Sequence, residues 1–260
     1  MKYLGGNLHC MQITFLRFGF SCLLLLPFMC MGSLQSFKTS RVEVHFIRGA
    51  ILFLGIALWC YGLSCVPIVS ATLMTFIIPL FVLMLAPIFL KEKVNKHLIF
   101  ATIVGFIGAL ISLNVIKIDF SLTSLALLVS AFLFASLDII NKKFVMQESM
   151  LSMLFYSALV TSILGAIPAY LVWQSVGLHD LLILGYLGAG SNIILFCLLK
   201  AFARVTASSV APYRYLELFF SAAIGFIIFS ETPNSTMIIG SLLIIPSTIY
   251  VTISKAKSLS

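Results

Sequence analysis

Two ionisable residues of opposite sign stand in the stretch Ala211-Pro212-Tyr213-Arg214-Tyr215-Leu216-Glu217-Leu218, inside an apolar run from about Thr206 to Ser230. Such a run can cross a bilayer, which takes roughly 20 apolar residues. An Arg or Glu at membrane depth costs about 3 kcal/mol on insertion scales and ~10 in simulations, so each persists only where the protein meets it. Spaced i, i+3, Arg214 and Glu217 share a helical face and can pair with each other. Pro212 removes a backbone donor and can kink the helix. One reading is a neutralised pair that locks this helix to a neighbour. The other, which intramembrane charge favours by default, is a polar substrate site near the midplane. Arg17 is a second cation inside an apolar run; it can serve a ligand or snorkel to the outer surface. Asp138 lies near the end of its run beside Asn141, Lys142 and Lys143. There, a local ion pair competes with a ligand role.

Other chemistry finds little support. The six cysteines, Cys10, Cys22, Cys30, Cys60, Cys65 and Cys197, show no CxxC spacing. They read as small buried hydrophobes, not ligands or disulfides. His9, His45, His97 and His179 fall at the ends of runs without metal spacing. There is no HExxH and no Ser/His/Asp grouping at membrane depth. Neither an enzyme nor a cofactor is expected.

These residues must be positioned by lipid-spanning elements. The chain of 260 residues is 61% hydrophobic and 9% charged, with a mean hydropathy of +1.16. A soluble domain averages about 25% charged, so this is a polytopic helical protein whose solvent is lipid. Nine apolar segments are expected at about 10–31, 45–63, 68–90, 97–114, 120–140, 150–173, 179–200, 206–230 and 235–254. Arg17 interrupts the first of them, and no cleavable signal peptide is expected. The net charge of +8 reads as topology and not as nucleic-acid binding. Twelve of the sixteen Lys and Arg, including Lys38, Arg41, Arg48, Lys142, Lys143 and Lys257, fall in loops of one face. Lys2 and Lys117 fall on the other. The positive-inside rule then places the C-terminus in the cytoplasm and, with nine spans, the N-terminus outside.

Shifted by 139 residues, the chain meets itself. Ser70 falls on Ser209, Glu92 on Glu231, and Phe15-Leu16-Arg17-Phe18 on Leu154-Phe155-Tyr156-Ser157. The second copy has an extra helix at about 120–140, so the unit is five helices and the first unit has four. An odd number per unit inverts one copy against the other, the layout of many secondary transporters. The predicted fold is an all-α polytopic membrane protein, an inverted repeat of five-helix units whose first unit lacks its first helix. The halves are 1–114 and 119–255. Gly105 and Gly108, and Gly185 with Gly188, allow close helix approach; the latter pair supports a homodimer only weakly. Pro79, Pro212 and Pro246 lie within spans as candidate kinks. Glu92 and Glu231, at the ends of long helices, read as structural.

The repeat unit, the openings at Ser70 and Ser209 and the glutamates Glu92 and Glu231 resemble the EamA family of the drug/metabolite transporter superfamily, over nearly the whole chain. Leu137-Asp138-Ile139-Ile140-Asn141-Lys142-Lys143, Glu148-Ser149-Met150 and Ala211 to Glu217 are unusual for the family at large and are similar to a narrower branch. That resemblance implies a secondary carrier importing S-adenosylmethionine across a bacterial inner membrane, with S-adenosylhomocysteine as a candidate exchange partner. Such a passenger carries a carboxylate, an ammonium, a sulfonium cation and an adenine. Arg17 and Arg214 can meet the carboxylate, and Glu217 and Asp138 the positive centres. Tyr156, Tyr213 and Tyr215 can stack or make cation–π contact. Trp59 and Tyr61 fit an interfacial belt better. The alternatives are a carrier of another small metabolite, or an inactive truncated remnant.

Overall fold

The computed structural model describes residues 8–31, 37, 39, 41–66, 68–113, 122–229 and 235–257. Among the described residues it is helical, with no strand. The helices are α1 (Cys10–Met31), α2 (Val42–Cys65), α3 (Ile68–Thr75), α4 (Ile78–Leu85), α5 (Lys96–Ser112), α6 (Leu122–Phe144), α7 (Met150–Leu171), α8 (Leu178–Arg204), α9 (Ala207–Val210), α10 (Leu216–Phe229) and α11 (Ser235–Lys257). Each apolar segment expected from the sequence is therefore helical. Six stretches, among them Ala71–Leu90, are long and apolar enough to cross a membrane. Large apolar side chains such as Phe28, Ile167 and Ile194 are exposed, the surface a lipid solvent accepts.

Two segments break, both at proline. The third is interrupted between α3 and α4, with Pro79 in the first turn of α4, where a missing N–H is harmless. It ends in a π-helical turn, Ala86–Leu90, closed by Lys91 in the left-handed region (φ 54°). The eighth passes from α9 through a 3-10 turn, Ala211–Tyr215, into α10, with Pro212 opening the turn. Glu92 holds the start of α9. Its carboxylate accepts from the Ala207 N–H (2.8 Å), the Ser208 N–H (3.1 Å) and the Ser208 hydroxyl (2.8 Å). That is the structural role expected of Glu92; Glu231, Pro67 and Pro233 lie outside the described residues.

The chain divides into two compact units, Met1–Cys60 with Ile140–Arg204, and Tyr61–Ile139 with Val205–Ser260. Each takes helices from both halves of the sequence. In the first unit α1 packs along α7 and α8. Gln12 Nε2 donates to the Gln174 carbonyl (2.8 Å), and the Gln174 N–H donates back to Gln12 Oε1 (3.0 Å). Ser162 Oγ donates to the Phe15 carbonyl. The start of α1 thus meets the end of α7, and the two run antiparallel. Gly188 lets α8 close on α1, since a Cβ there would lie 2.8 Å from the Arg17 carbonyl oxygen. Gly188 is thus filled within the chain, whereas a Cβ on Gly185 would meet nothing within 4 Å.

In the second unit α5 packs along α11, also antiparallel. His97 near the start of α5 bonds Tyr250 (2.5 Å) near the end of α11. A Cβ on Gly240 would lie 2.5 Å from the Gly108 carbonyl oxygen.

Cysteine departs from expectation. Cys10 and Cys60 form a disulfide, with Cα atoms 5.9 Å apart. The sequence hides this pair because the start of α1 and the end of α2 meet only after folding. Cys22 is a free, buried thiol; Cys30, Cys65 and Cys197 are free and exposed.

Candidate functional site

The Arg214–Glu217 pair, one of the two readings of this stretch, does not form. Arg214 lies in the 3-10 turn, and its Nη2 donates to Asp138 Oδ2 of α6 at 2.5 Å. Glu217 stays exposed in the first turn of α10, where the helix dipole favours an acid. The reason lies in burial. Asp138's side chain is 6% exposed and Arg214's 33%. A carboxylate out of water needs a cation far more than one at the surface does. Asp138 is paired 76 residues away and not with neighbouring Lys142, whose ammonium caps the Phe202 carbonyl.

Tyr215 is a core residue. It is fully buried, its ring fills the space left by Gly105, and its hydroxyl donates to the Phe76 carbonyl (3.3 Å). Tyr213, one turn face away, is 38% exposed.

The first unit holds a separate polar interior. Arg48, expected in a cytoplasmic loop, lies in the second turn of α2 and is 1% exposed. Its Nε donates to Asn141 Oδ1 (2.8 Å), and its Nη1 donates to the Met153 carbonyl (3.2 Å) and meets His45 Nδ1 (3.3 Å). Across the ring, His45 Nε2 lies 3.4 Å from Glu148 Oε2, which also accepts from Thr39 Oγ1 (3.0 Å). Tyr156 stands over His45, ring centroids 4.9 Å apart, and its hydroxyl donates to the Phe37 carbonyl (2.6 Å). A cavity of about 660 Å³ opens here, lined by Phe37, Thr39, Val42, Gln147, Glu148, Ser149 and Tyr156.

Four buried side-chain atoms among the described residues lack a hydrogen-bond partner: Arg17 Nε, Arg48 Nη2, Trp59 Nε1 and Ser157 Oγ. All four belong to the first unit. Three are N–H donors, and a buried donor left unmet costs about 1–3 kcal/mol. Among the described residues, the Arg17 guanidinium rests on the Phe18 ring, 4.7 Å from its centroid. Among the described residues these three donors lack an acceptor, which a carboxylate or another acceptor-rich group could supply. No cluster of three or more metal-ligating side chains occurs among the described residues.

The family model for EamA-like transporters matches residues 1–114 and 121–253. The chain belongs to the EamA family. An S-adenosylmethionine uptake transporter of Rickettsia bellii is 46% identical over 259 residues, covering 100% of this EamA chain and 89% of the relative. That of Rickettsia prowazekii is also 46% identical, covering 100% and 88%. A riboflavin transporter of Vibrio cholerae is 29% identical over 244 residues, 92% of this chain and 82% of that one. A crystal structure at 17% identity superposes with a TM-score of 0.85 over 98% of this chain and 91% of that one, so the fold is shared. The relatives are named as transporters, in agreement with the expectation of a carrier and not an enzyme.

Sequence reasoning named Arg17, Asp138, Tyr156, Tyr213, Arg214, Tyr215 and Glu217 as candidates and did not single out Arg48, His45 and Glu148 as a linked set. The available signal was His45 and Arg48 spaced i, i+3 at the mouth of an apolar run. That spacing puts both on one helical face.

Proposed function

We propose that this EamA chain is a secondary carrier that imports S-adenosylmethionine across a bacterial inner membrane by alternating access. The observation that carries the proposal is 46% identity over the full chain to a carrier named for that substrate, against 29% to one named for riboflavin. Arg17 supports it: with a buried donor unmet among the described residues, it meets the carboxylate. Tyr156, held by its hydroxyl beside the cavity, offers a ring to the adenine or the sulfonium. In the second unit Arg214 and Asp138 exchange their mutual contact for contacts to the passenger's charges. Tyr213 and Glu217 flank them, and Tyr215 holds the turn by packing. S-adenosylhomocysteine leaves in exchange.

We further propose nine spans in an inverted repeat, with halves 1–114 and 119–255 and a cytoplasmic C-terminus. The 139-residue offset carries α1 onto α7 and α5 onto α11. Counterparts that pack on each other antiparallel, as both pairs do, are what an inverted repeat requires. Phe76 and Tyr215, also 139 apart, touch each other, as residues near a pseudo-two-fold axis must. The Cys10–Cys60 bond supports the orientation. Disulfides persist in oxidising compartments, and both cysteines lie at helix ends the charge distribution assigns to the outside.

The test is saturable uptake of radiolabelled S-adenosylmethionine by cells expressing the chain, with unlabelled S-adenosylmethionine, S-adenosylhomocysteine and riboflavin as competitors. Competition by the first two and not the third is expected. Membrane-inserted protein with uptake no higher than vector would refute the proposal, and competition by riboflavin alone would favour a different metabolite.

A further inference from the structure

We propose that the cavity beside Glu148 is a release-side subsite that reads the positive charge of the passenger's sulfonium centre and so tells S-adenosylmethionine from the uncharged thioether S-adenosylhomocysteine. This rests on the transport reading above, including its orientation. The two passengers differ by one methyl group and one charge. A carrier that exchanges one for the other needs a place where that charge is felt. The unmet donors of the first unit attract acceptors, which both passengers have, and cannot supply that distinction.

The cavity wall has the required chemistry. Glu148 is a carboxylate whose side chain is 6% exposed, held in place through one oxygen. Thr39 Oγ1 donates to Oε2 at 3.0 Å and His45 Nε2 lies 3.4 Å from it. None of the described residues bonds its second oxygen, Oε1. Fixed aromatic faces stand beside it. The Tyr156 hydroxyl is tied to the Phe37 carbonyl, which stops the ring from turning away, and Phe37 is braced edge-on by Phe155 at 5.7 Å. A carboxylate with a free oxygen beside aromatic faces is how proteins hold onium cations.

The described cations nearby are engaged elsewhere. Arg48 is bonded to Asn141 and the Met153 carbonyl behind His45. Arg41 lies over the Phe144 ring at 5.2 Å, and Lys142 caps the Phe202 carbonyl. The cavity, at about 660 Å³, has room for a nucleoside-sized group. A subsite on an exit path must bind weakly enough to let go, which suits a shallow contact of one carboxylate and one or two rings.

The experiment uses inside-out membrane vesicles, so that solutes reach the cytoplasmic face. Wild-type protein should be half-inhibited by added S-adenosylmethionine at roughly tenfold lower concentration than by S-adenosylhomocysteine, a difference of about 1.4 kcal/mol. In Glu148→Gln, which keeps an acceptor for Thr39, the S-adenosylmethionine value should rise to meet an unchanged S-adenosylhomocysteine value. Tyr156→Leu should narrow the gap in the same direction. An equal shift for both compounds, or no shift for either, overturns the proposal. If wild-type cells take up no S-adenosylmethionine, the transport reading fails by itself. The subsite is then judged on purified protein by thermal unfolding with trimethylsulfonium against neutral dimethyl sulfide. Stabilisation of wild type by the cation alone, lost in Glu148→Gln, upholds the cation site; identical behaviour of the two proteins refutes it.

Discussion

The Asp138–Arg214 contact can be taken apart by a mutant cycle whose asymmetry follows from burial. Replacing Arg214 by Met leaves a carboxylate with only 6% of its side chain exposed and without a cation. Breaking a buried pair from that side costs about 3–5 kcal/mol. Replacing Asp138 by Asn leaves a guanidinium that is 33% exposed and that water can reach. A partly solvated group missing one partner costs about 1 kcal/mol. The double replacement Arg214→Met with Asp138→Leu removes both charges and should recover most of the loss, because apolar isosteres of a buried pair are often neutral. Thermal unfolding of the detergent-purified variants measures all three. Equal losses in the two single variants, or a double variant that loses the sum of both, would refute the reasoning. Uptake by the double variant then separates the two roles of the pair. A stable protein that no longer transports points to contact with the passenger, and a stable protein that transports normally points to a lock between helices.

Three further outcomes follow. Glu92→Ala removes the acceptor of three hydrogen bonds at the start of α9 and should cost about 1–2 kcal/mol in thermal unfolding, with Glu92→Gln intermediate. Gly188→Val drives a Cβ to within 2.8 Å of the Arg17 carbonyl oxygen and 2.9 Å of the Ser21 nitrogen, both backbone atoms that cannot swing aside. Gly190→Ala meets nothing within 4 Å; the first should lose about 1–3 kcal/mol or fail to accumulate, and the second should match wild type. Maleimide labelling of denatured protein should count four thiols before reduction and six after, given the Cys10–Cys60 bond and four free cysteines; six without reduction would remove the bond.

Helix positions were legible because lipid makes hydrophobicity a nearly direct readout of them: α1, α7 and α11 begin within a residue of the apolar runs. The charge partners were not legible, because the decisive quantity is burial after folding. In sequence Arg48 reads as a surface cation, because the apolar run opens at His45; the helix opens at Val42, and that extra turn carries Arg48 inside. Tyr215 sits between two charged residues in sequence and looked like a stacking platform. The 3-10 turn at Pro212 instead aims it into the core against Gly105. The i, i+3 spacing of Arg214 and Glu217 permits a pair, but the buried Asp138 carboxylate draws Arg214 to α6 instead.

The 139-residue offset also explains where chemistry can reside. The proposed scaffold of two inverted copies would present each position twice, yet the proposed passenger has an anion at one end and a cation further along. Recognition must therefore come from positions where the copies differ. Arg17 falls on Tyr156, Arg48 on Leu187, and Arg214 on Thr75. At each the cation is in one copy only. Positions that serve the shared packing stay alike in kind, as Phe76 and Tyr215 do across their own contact. Exchanging the unlike residues between copies, as in Arg17→Tyr with Tyr156→Arg, leaves the set of side chains unchanged while reversing their places. If the unlike positions recognise the passenger, the swapped protein should insert normally and lose uptake by at least tenfold. Uptake at the wild-type level would mean that those positions serve packing alone.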